Sequence, residues 1–281
     1  MQIITASSEL QDLTESLRAE KKTIGFVPTM GALHEGHLNL VRAARQQSDI
    51  VIASIFVNPT QFGASEDLSR YPRNLERDTA LLKPLGVDYL FLPTPAEIYP
   101  AGFTTYVTVE GLSEILEGAS RPGHFRGVTT VLMVLFNLVR LDKVFMGQKD
   151  AQQTIVVKKM VHDLRLPVEI VVLPTTREAD GLAMSSRNQY LNPAQREAAI
   201  ILFQALGNAQ GLFATGERSA QKILAAMKQV IASELQAQLE YIAINDAQNL
   251  APLDDLEGRT ALLSLAVRFG QTRLIDNIIL P

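Results

Sequence analysis

Two histidines lie three residues apart in the stretch FVPTMGALHEGHLNLVR, although the whole chain contains only four. His34 and His37 follow an apolar run that predicts a strand, and residues with helical spacing come directly after them. The first turn of a helix has unpaired backbone N–H groups and the positive end of the helix dipole, which favour an anion. Gly31 and Gly36 allow a ligand to approach the backbone closely. The pattern predicts a phosphate site to which two imidazoles donate hydrogen bonds.

Two other interpretations of this stretch stay open at the level of the sequence. The histidines also suit an ordinary helix start at which both side chains face solvent. A metal site is the other alternative, but HEGH differs from the zinc motif HExxH, and no further histidine or acidic cluster completes a set of ligands. The sequence therefore assigns no metal ligands to this stretch.

Two further segments carry polar side chains suited to a small anionic substrate. Gln61 lies in VNPTQFG after a predicted strand, and its amide both donates and accepts hydrogen bonds. The segment RPGHFRG, Arg121 to Gly127, offers two arginines and a histidine around two glycines. A surface turn and a solvated loop are the structural alternatives for these two segments.

Later in the chain, KVFMGQKDAQQ places Lys149, Asp150 and Gln153 directly after a predicted strand. Lys149 is a point charge for phosphate, and Asp150 is an acceptor for a ribose hydroxyl. A helix start with Asp150 as its cap is the alternative. The segment DGLAMSSRNQYLNP, Asp180 to Pro193, predicts an irregular polar loop, and by itself suits a plain interdomain connector.

Composition excludes several classes of protein. The 281 residues carry a net charge of -4 with no basic run suited to a polynucleotide, and there is no cysteine for a disulfide, a thiolate metal site or a nucleophile. The N-terminal MQIITASSELQDL lacks the features of a signal peptide. The longest apolar run, Val128 to Val139, is shorter than the roughly 18 residues of a membrane span. We expect a cytoplasmic protein that binds neither nucleic acid nor a membrane.

Short β-branched runs alternate with stretches of helical spacing in the first part of the chain, which predicts βαβ units and a parallel sheet. The fold class is therefore α/β, a Rossmann-like parallel sheet flanked by helices. Ligands bind at the carboxyl ends of the strands in such sheets. The predicted strands are Ile24–Pro28, Ile50–Val57, Tyr89–Leu92, Lys143–Met146 and Val168–Leu173, and the predicted helices are Leu38–Gln47, Asn74–Pro84, Val128–Leu141 and Ala151–Leu164.

After about residue 175 the pattern changes to helices followed by strands, which predicts a smaller α+β unit. We expect a catalytic domain over residues 1–175 and a C-terminal domain over residues 176–281 that covers the site. The predicted helices of the second domain are Pro193–Phe213 and Ser219–Gln238, and its predicted strands are Tyr241–Asn245, Thr260–Arg268 and Leu274–Ile279.

Taken together, these segments resemble a known family. HEGH followed by MSSRN is similar to the paired HxGH and KMSKS-like signatures of the class I aminoacyl-tRNA synthetase-like nucleotidyltransferases. The ordered set VPTMGALHEGH, SIFVNPTQF, YPR, EGASRPGHFRGV, GQKDAQQ and EADGLAMSSRN resembles the pantothenate synthetases, or pantoate–β-alanine ligases, and the likeness continues to the C-terminal RLIDN. Arg77 departs from the commonest pattern, in which an acid precedes Asp78.

The resemblance implies an enzyme that joins pantoate to β-alanine through a pantoyl-adenylate, with ATP as a substrate and Mg²⁺ bound through the ATP phosphates. It implies a homodimer and a closing loop at 183–188. It gives Gln61 and Gln153 to pantoate and β-alanine, with Phe56, Met30, Val128 and Val131 as an apolar wall for pantoate. It makes His37, His34 and Lys149 catalytic. The implied ATP-binding residues are Met30, Gly31, Ala32, Leu33, His34, Glu35, Gly36, His37, Gly147, Gln148, Lys149, Asp150, Thr176, Met184, Ser185, Ser186 and Arg187.

Two rival functions remain at this stage. One is another adenylyl- or cytidylyltransferase, or a short relative of an aminoacyl-tRNA synthetase, against which the acidic charge and the paired glutamines argue. The other is a nucleotide-sensing protein that keeps the fold without turnover. Such a sensor would have lost at least one of His34, His37 and Lys149, and the chain retains all three.

Overall fold

The computed structural model describes residues 1–63 and 66–281. Ala64 and Ser65, which fall in the predicted polar loop Val57–Arg73, lie outside the described residues. The described residues form two compact units, and the predicted domain boundary after residue 175 stays a prediction. The first unit consists of Met1–Gly147 and Val156–Leu173, and the second of Gln148–Ile155 and Pro174–Pro281.

The first unit contains a parallel sheet of six strands with the order β1-β4-β3-β2-β5-β6. The central strand β2 is buried over nearly its whole length, as expected for a parallel strand covered on both faces. The Rossmann-like α/β fold class is thereby confirmed. The strands are β1 Gln2–Ile4, β2 Ile24–Thr29, β3 Ile50–Ile55, β4 Tyr89–Phe91, β5 Lys143–Gly147 and β6 Glu169–Leu173.

Strand order reverses between β2 and β5. The chain runs from β2 outward through β3 and β4, and then crosses to β5 on the other side of β2. The two strands pair in parallel, with Gly25 opposite Lys143 and Phe26 opposite Val144. Ligands of open α/β sheets bind outside the carboxyl ends of the strands at such a reversal. The loop that follows Thr29 at the end of β2 therefore lies where the fold predicts a ligand.

The longest helix of the first unit, α6, is buried on nearly every side and packs in the core with β2, β5 and the later part of α7. None of the helices in the described part of the chain combines the length and the apolar character that a membrane crossing requires. The helices from α1 to α7 are Ser7–Ala19, Glu35–Gln47, Leu75–Leu82, Pro95–Ile98, Glu117–Ser120, His124–Val139 and Ala151–Asp163.

In the second unit, residues 174–281 contain helices followed by an antiparallel sheet with the order β7-β8-β9, as the change of pattern after residue 175 predicted. Helices α9 and α10 pack against one face of this sheet to form its core. The helices are α8 Pro193–Ala198, α9 Ile201–Ala214 and α10 Ala220–Ala232, and the strands are β7 Ala237–Asp246, β8 Ala261–Phe269 and β9 Thr272–Leu280.

Two predicted helices of the second unit differ from those observed. The predicted helix Pro193–Phe213 is divided into α8 and α9, because the turn between them tightens with hydrogen bonds to residues three positions earlier. The predicted helix Ser219–Gln238 ends at Ala232. Leu235 lies four residues after the buried Ile231, as in a helical stripe, yet it is 97% exposed. The prediction placed the end of this helix too late because the helical spacing of apolar residues continues beyond Ala232.

Gly127 in α6 lies directly against the 3₁₀ turn Pro59–Gln61. A β-carbon at this position would lie 2.4 Å from the Thr60 carbonyl oxygen and 2.6 Å from the Gln61 nitrogen. Backbone atoms cannot rotate away as a side chain does. We therefore expect Gly127→Ala to lower the free energy of unfolding of the first unit by about 1–3 kcal/mol, as measured by urea denaturation.

The matched control is Gly207→Ala in α9, where an added β-carbon meets nothing within 4 Å. Alanine has the higher helix propensity, so this substitution should stabilise the second unit by up to about 1 kcal/mol. A Gly127→Ala protein as stable as the wild type would contradict the close packing of α6 on the 3₁₀ turn.

Candidate active site

Helix α2 begins at a turn that the two histidines close themselves. His34 is the N-cap residue, and its Nδ1 accepts the backbone N–H of Gly36 at 3.2 Å. His37 lies one turn on, and its Nδ1 accepts the backbone N–H of His34 at 3.4 Å. The two rings lie 4.2 Å apart between centroids, tilted by 44°. Together they form a reciprocal capping box made of imidazoles.

This capping determines the tautomer of both rings. A neutral imidazole carries hydrogen on one nitrogen, and a nitrogen that accepts a backbone N–H cannot be the protonated one. In neutral His34 and His37 the hydrogen therefore resides on Nε2, at the opposite side of each ring. The sequence predicted unpaired N–H groups at this turn as anion donors, but those of His34 and Gly36 are bonded to the imidazoles. The Nε2–H groups are thus the donors that this pair presents.

Asp78, at the start of α3, holds the loop that leads into this turn. Its two carboxylate oxygens accept the backbone N–H groups of Ala32 and Leu33, both at 2.9 Å, and the residue is 1% exposed. Arg77 donates to the carbonyl oxygen of the same Leu33 at 3.1 Å. The loop is tight, with Gly31 at φ 80°, a conformation that favours glycine. The amides of Ala32 and Leu33 are therefore also bonded within the protein.

The use of the Asp78 carboxylate bears on metal binding. Both of its oxygens accept backbone hydrogen bonds, so this group is a loop support in the structure. Across residues 1–63 and 66–281, no group of three or more His, Cys, Asp or Glu side chains has an arrangement that could hold a metal ion.

Gln61 is buried at the end of the 3₁₀ turn Pro59–Gln61, where neighbours fix both ends of its amide. Its Oε1 accepts from Asn58 Nδ2 at 3.0 Å, and its Nε2 lies 3.0 Å from the Met30 sulfur. Asn58 also donates to the carbonyl oxygen of Gly127 at 3.1 Å and accepts from Tyr99 at 2.8 Å. The orientation of the Gln61 amide is thus set by Asn58, which is itself bonded to α6, and by Met30 in the loop after β2.

His124 supports the backbone of Gln61 from the first turn of α6. Its Nδ1–H donates to the Gln61 carbonyl oxygen at 2.8 Å, and its Nε2 accepts from Arg121 at 3.0 Å. Arg121 is paired in turn with Glu66 at 2.7 Å. Burial, reinforced by the Arg121 guanidinium, lowers the pKa of His124 to about 4. His124 is therefore neutral near pH 7, as both of its hydrogen bonds require.

In the second unit, the residues after β5 form a 3₁₀ turn, Gln148–Asp150, that leads into α7. Lys149 Nζ lies 3.4 Å from Asp150 Oδ1, with the lysine side chain 21% exposed. Gln153 follows on the first turn of α7 and is half-buried. An ammonium, a carboxylate and an amide thus occupy one short segment that directly follows β5 in the chain.

The segment that contains MSSRN is more ordered than the sequence predicted. Met184 donates its N–H to the Thr176 carbonyl oxygen at 3.0 Å. The expected irregular loop contains a 3₁₀ helix, Ser186–Tyr190, capped by the Ser185 hydroxyl, which accepts the N–H of Arg187. A serine at the position before a helical turn supplies this cap locally. The segment is the end of a hairpin followed by a short helix.

The described structure thus assigns the predicted site residues to the two units. Met30 to His37, Gln61 and Gly147 belong to the first unit, and the others belong to the second. Glu35 is exposed and forms an ion pair with Arg42. Phe56, Val128 and Val131 belong to the hydrophobic core of the first unit. The roles of all these residues toward substrates stay predictions.

Three supporting residues were not predicted from the sequence in these roles. Asp78 bonds to residues 45 and 46 positions earlier, and Asn58 bonds to a residue 69 positions later. The third is Asn277, whose contacts lie 128 and 129 positions earlier in the chain. The spacing of residues along the chain does not indicate contacts over such distances. The only indication in the sequence was that each of these residues lies in or near a family motif.

The sheet order defines a Rossmann-like α/β protein, and HEGH follows β2 at the reversal of that order, where the fold predicts a ligand. The sequence model of the family described as pantoate-β-alanine ligase matches residues 2–279. The chain belongs to the pantoate–β-alanine ligase family.

Individual relatives agree with this assignment over the full length. The chain is 54% identical over 280 residues to a pantothenate synthetase from Moorella thermoacetica, with 100% of this chain and 99% of the relative covered. Its structure is similar to a pantothenate synthetase from Thermus thermophilus, at a TM-score of 0.93, 47% identity and 99% coverage of both chains. A pantoate-β-alanine ligase from Francisella tularensis, complexed with βγ-ATP and β-alanine, matches at a TM-score of 0.81, 34% identity and 99% and 97% coverage.

We expect acid to destabilise the first unit through His124. Its pKa is about 4 in the folded protein and about 6.5 in an unfolded chain, so the unfolded state takes up the proton first as the pH falls. The stability that depends on neutral His124 is complete above about pH 6.5 and is lost toward pH 4, by up to about 3 kcal/mol. His124→Gln should lack this loss, which urea midpoints between about pH 7.5 and pH 4.5 would measure.

The control is His162→Gln in α7, where the side chain is 72% exposed. This variant should follow the wild-type pH dependence. The carboxylates near His124, Glu66 and Glu117, are present in all three proteins. Parallel pH curves for the wild type and His124→Gln would show that His124 does not carry the effect.

Proposed function

We propose that the chain catalyses the ATP-dependent condensation of pantoate with β-alanine, through a pantoyl-adenylate, to give pantothenate, AMP and pyrophosphate. Membership of the pantoate–β-alanine ligase family supports this reaction, as does the complex of the Francisella relative with βγ-ATP and β-alanine. The observation that carries the proposal is the pair of imidazoles at the start of α2, both of which use Nδ1 for the backbone.

The first step is an attack by a pantoate carboxylate oxygen on the α-phosphorus of ATP. A bond forms between the carboxylate oxygen and the α-phosphorus. The bond from the α-phosphorus to the oxygen that bridges to the β-phosphorus breaks, and pyrophosphate leaves with that electron pair. Two anions must approach each other, so donors and cations around the phosphates are required. We assign these donors to Nε2–H of His34 and His37 and to the ammonium of Lys149. His37 and His34 thus act by electrostatic stabilisation, with Lys149 as the point charge.

The remaining nucleotide contacts are assigned by the family motif. The loop Met30 to Gly36 and the turn Gly147 to Asp150 are assigned to ATP, with Asp150 accepting from the ribose hydroxyls. Thr176 and the segment Met184 to Arg187 complete this set. Support comes from their positions after strands or on capped turns, where backbone groups have a fixed direction.

Gln61 and Gln153 are assigned to pantoate. Pantoate carries a carboxylate, two hydroxyls and two geminal methyl groups, so its site needs amides beside apolar side chains. Gln61 suits this role because its amide is already oriented by Asn58 and lies against Met30. Phe56 belongs to the adjoining apolar core of the same unit.

In the second step the neutral amine of β-alanine attacks the acyl carbon of the adenylate. The C–N bond forms, the C–O bond to phosphate breaks, AMP leaves with the electron pair, and the amine loses a proton to solvent. No covalent enzyme nucleophile is needed. The adenylate must be kept from water, and we assign this protection to the loop 183–188.

Four further features are part of the proposal. Mg²⁺ enters bound to the ATP phosphates as part of the substrate, as the resemblance to the family implies. The homodimer rests on resemblance to the family, whereas the cytoplasmic location is the expectation drawn from the sequence. The division into a catalytic domain and a domain that covers the site is the expectation drawn from the change of pattern after about residue 175.

The reaction is tested by isotope exchange. We expect the purified protein to exchange labelled pyrophosphate into ATP only when pantoate is present, because the adenylation step is reversible and needs the acid but not the amine. In a separate assay with ATP labelled at the α-phosphate, release of labelled AMP should require β-alanine. Exchange driven by an amino acid and not by pantoate would instead assign the chain to the synthetase-like rival.

The role of the imidazoles is tested by a variant that keeps the helix cap. His34→Asn with His37→Gln copies the capping box that this chain already uses at α8, where Asn192 and Gln195 bond reciprocally. The fold should therefore persist, with an unfolding free energy within about 1 kcal/mol of the wild type. Loss of two phosphate donors should lower the pantoate-dependent exchange rate by at least about a hundredfold.

His162→Asn, in which the exposed histidine of α7 is replaced, serves as the control and should keep full exchange activity. Circular dichroism would establish that the double variant is folded. Exchange near the wild-type rate in the folded double variant would refute the assignment of His34 and His37.

A further inference from the structure

Strand β9 contains the motif RLIDN, Arg273 to Asn277, to which the proposed reaction assigns no role. Asp276 and Asn277 are adjacent in this strand and are 2% and 4% exposed. Side chains of successive strand residues point to opposite faces of the sheet. A buried polar group needs hydrogen-bond partners, and these two find theirs in different segments of the second unit.

Asn277 holds the turn Gln148–Asp150 with three hydrogen bonds. Its Nδ2 donates to the carbonyl oxygens of Gln148 at 3.0 Å and of Lys149 at 2.8 Å. Its Oδ1 accepts from Nε2 of the Gln148 side chain at 3.0 Å. The two carbonyl groups belong to the peptide units on either side of the Lys149 α-carbon. Fixing both peptide planes fixes the direction in which the Lys149 side chain leaves the backbone.

Asp276 holds Arg177, next to Thr176 in the hairpin that leads to Met184. The guanidinium forms a bidentate pair with the carboxylate, at 2.6 Å and 3.0 Å. Burial raises the pKa of Asp276, and the hydrogen bonds from Arg177 oppose that rise. Arg177 also donates to the Gly181 carbonyl oxygen at 3.0 Å and pairs with Ala183 in an isolated β-bridge. The base of the hairpin is therefore tied to β9.

We propose that Asn277 is a positioning residue for the nucleotide, which orients Lys149 and Asp150 through their backbone, and that Asp276 positions the hairpin before Met184 in the same way. The inference rests on the proposed function, because it takes from it that Lys149 and Asp150 contact ATP. Two adjacent residues of one strand thereby link two segments that the sequence keeps far apart. Neither side chain needs to contact a substrate.

The test is Asn277→Ala, which removes all three hydrogen bonds to the turn. Misplacement by about 1 Å of a side chain that binds a reacting phosphate can lower the rate by about a hundredfold. In pantoate-dependent pyrophosphate exchange, kcat/KM for ATP should fall by about 10- to 100-fold. Misplacement of Lys149 should lower kcat, and misplacement of Asp150 should raise KM for ATP. KM for pantoate should change less than either.

Asn245→Ala is a matched control in the same sheet. Asn245 is 5% exposed, and its Nδ2 donates to the Leu250 carbonyl oxygen at 2.8 Å. Residue type, burial and bond type are therefore alike, but the bond holds a loop with no proposed substrate contact. This variant should lower thermal stability through the loss of its own buried hydrogen bond and keep kcat/KM for ATP within about twofold of the wild type.

Amide hydrogen exchange provides a readout that does not depend on turnover. Peptides that cover residues 147–152 should exchange faster in Asn277→Ala than in the wild type, and at the wild-type rate in Asn245→Ala. Where Asn277→Ala fails to fold, Asn277→Ser retains one hydroxyl donor and should show a smaller loss of the same kind.

The outcomes separate this inference from the proposed function. If Asn277→Ala folds and its kcat/KM for ATP is unchanged, or falls no more than that of Asn245→Ala, the inference is overturned. Pantoate-dependent exchange by the wild type would still support the proposed reaction in that case. If the wild type shows no pantoate-dependent exchange, the proposed function fails. The positioning role of Asn277 is then tested by calorimetric measurement of ATP binding without the other substrates. Weaker ATP binding in Asn277→Ala than in Asn245→Ala supports positioning. Equal binding in the two, or none in the wild type, overturns it.

Discussion

The capping of α2 by its own histidines is the constraint on which the proposed chemistry depends. A helix must satisfy the N–H groups of its first turn, and here the Nδ1 atoms of His34 and His37 accept two of them. This use of one ring nitrogen assigns the hydrogen to the other. Folding therefore selects the tautomer in which the Nε2–H of each neutral imidazole is a donor.

The segments around the proposed site are held by buried polar side chains from distant parts of the chain. Asp78 bonds to the amides of the loop before α2, and Asn58 orients the amide of Gln61. Asn277 bonds to the turn that contains Lys149. In each case a buried polar group satisfies its own hydrogen-bonding need by fixing a loop or a side chain. The same bonds thus contribute to stability and to the geometry of the groups assigned to substrates.

His124 illustrates how such support is tuned by burial. Its Nδ1–H is needed as a donor to the Gln61 carbonyl oxygen and its Nε2 as an acceptor from Arg121. Only the neutral ring satisfies both, and burial beside a guanidinium keeps the ring neutral by lowering its pKa. The segment RPGHFRG, for which the sequence left an anion-binding role open, therefore supports Gln61 through its histidine in the described structure.

The sequence by itself determined the α/β class, the central strands and the family, because these follow from local periodicity and from ordered motifs that can be read along the chain. It also indicated where the polar segments follow strands. It did not indicate that Asp78, Asn58 and Asn277 would support those segments, nor that α10 would end at Ala232. These features depend on which residues become neighbours after folding, and contacts between residues tens of positions apart leave no periodic signal in the sequence.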